Sequence, residues 1–181
     1  MTDTELNAFK DTVHQAHIKW WQDIHTGQPI ERNRFELLGL IITELSEALE
    51  GERRNLMDDK LPHRKMAEVE MADAYIRLLD FAGGFGYTIY RLRRTDNLVV
   101  IGRTPPENKG EAIFLLMSAV CSLTPTIRHG EVIGEILTGI EAYCDKHGYR
   151  LFDAITEKLA FNAQRADHKH ENRKLADGKK F

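Results

Sequence analysis

The chain has 181 residues, 42% of them hydrophobic and 29% charged, which fits a single globular domain with a sizeable core. A net charge of −3 gives no electrostatic case for a nucleic acid polymer or an anionic membrane as partner. The first residues lack the apolar stretch of a secretory signal, and the longest apolar run, 112–123, is too short to span a bilayer, so the expected location is cytoplasmic.

In chain order, residues 4–25 read as a helix with Leu6, Phe9, Val13, Ala16, Ile18, Trp20, Trp21 and Ile24 as its apolar positions. Thr4 is the candidate N-cap, and Gly27 with Pro29 stops the helix. A second helix is expected over 33–51, with Asn33 as N-cap and Gly51 as stop. A polar connector, 52–62, ends at Pro62, and a third helix runs over 63–82 until Gly83-Gly84. A short helical or irregular piece follows as far as Tyr90. Residues 91–110 read as a loop, with Arg91, Arg93, Arg94, a brief extended segment at 98–101, and Pro105-Pro106. Helices are expected again over 111–123, 131–147 and 151–168, and the tail 169–181 is polar and expected to be mobile. Cys121 and Cys144 lie in apolar helical contexts and read as reduced core thiols. No strand series is apparent, so the expected fold is all-α, a bundle of about five to six helices.

The chemistry concentrates in the second and third helices. Glu44-Leu-Ser-Glu47 and Glu70-Met-Ala-Asp73 are carboxylate pairs at i, i+3, each on one helical face. At about 100° per residue, Glu44 falls inside the apolar arc of its helix and Glu47 at the border. On the third helix Glu70, Asp73, Arg77 and Asp80 share one arc, while most of the remaining circumference is apolar. A helix with so little solvent face is buried, so its acidic stripe points inward and needs a counter-ion. Two such helices facing each other converge Glu44, Glu47, Glu70 and Asp73. Four carboxylates bring −4, which two Mg²⁺ restore to neutrality, and oxygen ligands suit that ion, with Mn²⁺ as an alternative. A solvated acidic face is the plain alternative.

The last helix carries Lys158, Asn162, Arg165 and Lys169 in one polar and basic strip, suited to gripping phosphate oxygens, unless it is a solvated face. Trp20 is a candidate for stacking on a base, although paired tryptophans more often anchor a core. His14-x-x-His17, His168-x-His170 and Cys144-x-x-His147 lack the companions that a metal site needs. No phosphate-binding glycine loop occurs, and neither acidic helix has the Glu-x-x-His pairing of di-iron bundles.

The Glu-x-x-Glu and Glu-x-x-Asp pairs, separated by 22 residues between Glu47 and Glu70, resemble those of the MazG-like all-α nucleoside triphosphate pyrophosphohydrolases. The words Ala74-Tyr-Ile-Arg77-Leu-Leu-Asp80, Lys158-Leu-Ala-Phe-Asn162-Ala-Gln-Arg165 and Asp177-Gly-Lys-Lys-Phe181 are also similar to that family. The resemblance covers roughly 1–90 and 150–181 of a single domain, and the middle, about 91–149, matches no part of it. Thr43 departs from the pattern, because many members carry an acidic residue there. The resemblance implies a helical homodimer or homotetramer that uses Mg²⁺ to hydrolyse a (deoxy)nucleoside triphosphate to monophosphate and pyrophosphate. It implies Glu44, Glu47, Glu70 and Asp73 as metal ligands, with Glu47 or Glu44 also catalytic, orienting or deprotonating the water. Lys158, Asn162 and Arg165 become substrate-binding residues, with Trp20 against the base. The competing classes are a nucleotide-binding sensor without turnover and a helical interaction module.

Overall fold

The computed structural model describes residues 1–91, 104–124, 126–165 and 170–174. Residues 92–103 of the expected loop 91–110, residues 166–168, Lys169 of the basic strip and most of the expected tail lie outside the described residues. The helix expected over 151–168 ends at Gln164, and the backbone turns extended at Arg165. The remainder is all-helical: α1 (Asp3–His17) with a 3₁₀ turn (Ile18–Trp21), α2 (Arg34–Arg54), α3 (Met66–Gly84), α4 (Lys109–Ser122), α5 (His129–Lys146), α6 (Leu151–Gln164) and the single turn α7 (His170–Arg173). Among the described residues there is no strand, only two isolated bridges, Gln22 with Pro29 and Met57 with Lys65. No helix among the described residues is long and apolar enough to cross a membrane.

α3 is the central element. Its apolar residues, Met71, Ala72, Tyr75, Leu78, Leu79 and Ala82 among them, are fully buried, and α1, α2, α5 and α6 all pack around it. α4 sits outside, against α2 and α5. An all-round apolar sequence forces this placement, because only a central helix can hide every side.

The helix ends follow some of the local sequence signals and depart from others. Asn33 caps α2 through its side chain, as expected, and Asn108 does the same for α4. The N-cap of α1 is Thr2, not Thr4: Thr2 and Glu5 close a reciprocal capping box, which Thr4 has no partner to make. α1 also ends at His17, and Trp20 and Trp21 follow on a tighter 3₁₀ turn. Gly51 is not a stop, since α2 runs on to Arg54 and closes on Asn55 in the left-handed region. Gly51 is instead a contact glycine, where an added Cβ would lie 2.9 Å from the backbone nitrogen of Ala67. Gly83 and Gly84 form the last residues of α3, which ends there as expected. The chain turns only at Gly86, with φ +70°, where Tyr87 N–H returns to the Ala82 carbonyl. Cys144 is buried as expected, whereas Cys121 faces solvent, because α4 is covered on one side only.

The α2–α3 connector is tightly held. Buried Asp58 accepts from the backbone N–H groups of Lys60 and Leu61 at 2.9 and 2.7 Å. Arg64 bonds Glu68 on α3 and Glu157 on α6, tying the connector to both helices. In the last turn of α2, next to the connector, Glu52 accepts from Tyr143, Tyr149 and Lys109, which fixes α2 to α4 and α5.

Candidate active site

α2 and α3 run antiparallel, so residues with rising numbers on one meet residues with falling numbers on the other. Glu44 pairs with Arg77, and Glu47 lies beside Glu70. One oxygen each from Glu44, Glu47 and Glu70 lies within 4.8 Å of the others. Thus three of the four expected ligands converge. The fourth, Asp73, is held by Lys158 from α6, Nζ to Oδ2 at 2.7 Å. Arg77 donates to Glu44 at 2.5 Å. Two carboxylates of the set therefore already have protein cations as partners, a relation that helical periodicity cannot show because it links separate elements.

The local electrostatics follow from this crowding. Burial and the adjacent Asp73 raise the pKa of Glu70 well above the ordinary carboxylate range. Burial pushes Asp73 up to about 6 although Lys158 opposes it. Glu47 is open to the cavity but walled by protein, and burial followed by Glu44 raises it too. Carboxylates that resist ionisation gain from a nearby cation. Three oxygens at this spacing form a donor set that fits a hard divalent ion.

The carboxylates lie on the wall of a cavity of about 400 Å³. Lys60, Thr43, Lys158, Asn162 and Arg165 also line it, together with Leu37, Leu40, His17, Trp20 and Asp80. All the expected site residues thus share one cavity. They are not equivalent, however. Lys158 is almost fully shielded and engaged with Asp73. Asn162 lines the cavity, and its Oδ1 is buried with no hydrogen-bond partner among the described residues. Arg165 is the C-cap of α6, about 10 Å along the helix axis from Lys158 at 1.5 Å per residue. Trp20 is half-buried, with the Arg173 guanidinium 3.8 Å from its ring centroid. Trp21 is the core tryptophan, its indole N–H donating to Asp80 at 3.1 Å, and Asp80 also meets His14 at 2.7 Å. The histidines of the His14-x-x-His17 pair are not in the acidic cluster. Of Arg53, Arg54 and Lys60, which the sequence offers as the alternative phosphate grip, only Lys60 lines the cavity, and the pairing role of Arg77 is not apparent from the sequence reading. The latter shares the acidic stripe of α3 and could have been noticed as its only cation.

No family model matches this chain, and no curated protein or solved structure matches it at a significant level.

Proposed function

We propose that the protein hydrolyses a (deoxy)nucleoside triphosphate to the monophosphate and pyrophosphate, with Mg²⁺ held by Glu44, Glu47 and Glu70. The observation that carries this reading is the convergence of these three carboxylates on the wall of a cavity large enough for a nucleotide. The resemblance of the two acidic motifs and of the Lys158–Arg165 word to MazG-like pyrophosphohydrolases supports it. Mn²⁺ is an alternative ion, a homodimer or homotetramer the proposed assembly, and the cytoplasm the proposed location.

When bound, the cation supplies positive charge at the phosphate oxygens. The chain's own residues do the rest. Glu47, open to the cavity and with its pKa raised, accepts a proton from the attacking water. Arg77 holds Glu44 in place, and Lys158 keeps Asp73 charged. The Asn162 carbonyl oxygen calls for a donor. Its Nδ2 donates as well, so Asn162 suits a sugar hydroxyl or a phosphate oxygen. Trp20 and Leu37 form the wall for the base.

The test is a panel of the eight common NTPs and dNTPs with Mg²⁺, assayed for pyrophosphate. Release from at least one of them supports the reading. Thermal stabilisation by Mg²⁺ and nucleotide without release indicates a sensor, and neither response indicates an interaction module.

A further inference from the structure

The antiparallel α2–α3 pair acts as a ruler along the cavity. At one end are Leu37 of α2 and Asp80 of α3, the latter bonded to Trp21, the neighbour of Trp20, and at the other are Glu47 and Glu70, near Lys60 of the connector. Ten residues separate the ends on each helix, about 15 Å at 1.5 Å per residue. If the proposed hydrolysis is correct, the nucleoside occupies the Trp20 end, and the polyphosphate points toward the connector.

Lys60 is what the connector contributes to the cavity wall. Its backbone is fixed by buried Asp58, so its Cα is firmly placed. Its ammonium lies within electrostatic range of Glu47 and Glu70: it opposes the burial-driven rise of Glu47, and Glu70 adds to the rise that Asp59 causes in its own pKa. Its hydrogen-bond partner is neighbouring Asp59, whose side chain is 79% exposed. Such a pair is worth little and releases easily. Arg77 and Lys158 differ, because turning either away abandons Glu44 or Asp73 in a shielded site. Among the described residues next to Glu47 and Glu70, Lys60 is therefore a cation that can turn to an incoming anion at small cost. Arg53 and Arg54 do not line the cavity and are engaged with Glu50.

We infer that Lys60 grips the terminal phosphates of the substrate, the part that departs as pyrophosphate. The inference rests on the proposed hydrolysis but goes beyond it in assigning the polar end of the cavity. A charge-assisted bond of this kind corresponds to roughly 10–100-fold in affinity or in kcat/KM.

Calorimetry in Mg²⁺ on the wild type, Lys60→Ala and Lys60→Arg decides the matter, with inorganic pyrophosphate and a nucleoside monophosphate as separate probes. Lys60→Ala should bind pyrophosphate roughly 10–100-fold more weakly, bind the monophosphate unchanged, and lose a similar factor in kcat/KM for the triphosphate. Lys60→Arg should restore most of the loss. Pyrophosphate affinity that is unchanged in Lys60→Ala, or an equal loss for the monophosphate, overturns the inference while wild-type turnover still stands. No turnover and no pyrophosphate binding by the wild type overturns both readings.

Discussion

Lys158 reaches Asp73 across the contact between α6 and α3, Nζ to Oδ2 at 2.7 Å, with only 3% of the lysine side chain exposed. Lys158 is therefore a built-in counter-ion of the acidic site before it is anything for the substrate. Its stem lies against the core, and its charge offsets one carboxylate where water is scarce.

Lys158→Ala should consequently be a stability variant as well as an activity variant. Removing one member of a shielded pair leaves the other uncompensated, at a cost of about 3–5 kcal/mol when both are fully buried. Asp73 can escape part of this by taking up a proton, since its pKa is already raised. The loss should thus be larger at about pH 8 than at about pH 5, and Asp73→Asn in the same chain should recover much of it. Denaturant unfolding of the single and double variants at both pH values checks this. A Lys158→Ala protein as stable as wild type at both values would show that the pair does not matter.

The three clustered carboxylates predict a different behaviour. Glu47→Gln and Glu70→Gln should each abolish pyrophosphate release while keeping the helical fold. Glu70→Gln should leave the metal-free protein as stable as wild type or slightly more so, because it removes a charge that burial and Asp73 disfavour. Circular dichroism with activity assays separates the two effects, and wild-type turnover in either variant removes the site assignment.

The acidic site also couples to pH. Glu70 and Asp73 have folded-state pKa values raised above those of the unfolded chain, so the folded, metal-free protein binds protons more tightly. Their contribution to stability is full below about pH 4. It is lost as pH rises, through about 6 for Asp73 and at higher pH for Glu70. A bound cation reverses the balance. The difference in melting temperature between Mg²⁺ and EDTA should therefore widen from about pH 5.5 to about pH 8, and binding should release protons. Calorimetry in buffers of different ionisation heat measures that release, and a gap that does not change with pH would contradict the coupling.

These relations mark the boundary of what the sequence discloses. The i, i+3 spacing of Glu44 with Glu47 and of Glu70 with Asp73 is local, and so is the apolar circumference of α3; both were legible from periodicity. The Asn33 cap was legible for the same reason. The partner of Asp73 lies 85 residues away on α6, and nothing in a helical wheel links the two. The same holds for Lys60, whose position depends on a turn built by Asp58, and for the Glu52 contacts with Tyr143 and Tyr149. Glycine misled in the other direction at one position. Gly51 looks like a helix stop but lies inside α2, and Gly83 and Gly84, which do close α3 as expected, still belong to its last turn. The lack of a side chain there serves close packing against another element, which local sequence does not reveal.

Two glycine substitutions test that last distinction. Gly84 lies in α3 beneath Trp21, and a Cβ built there would be 2.0 Å from the indole ring. The ring cannot easily retreat: it is buried, its N–H donates to Asp80, and Phe85 packs edge-on against it at 5.5 Å. Gly84→Ala should therefore cost about 1–3 kcal/mol or more through overpacking, despite the better helix propensity of alanine. Gly39 lies in α2 on the exposed side, and an added Cβ there meets nothing within 4 Å. Gly39→Ala should stabilise by about 0.4–1 kcal/mol, chiefly by restricting the unfolded chain. For a protein of this length, 1 kcal/mol corresponds to roughly 2–4 °C in melting temperature. The two variants should thus move in opposite directions in one thermal-melting experiment. If Gly84→Ala melts at or above the wild-type temperature, the close crossing of α3 and Trp21 is wrong, and with it the anchoring of Asp80 at the nucleoside end of the cavity.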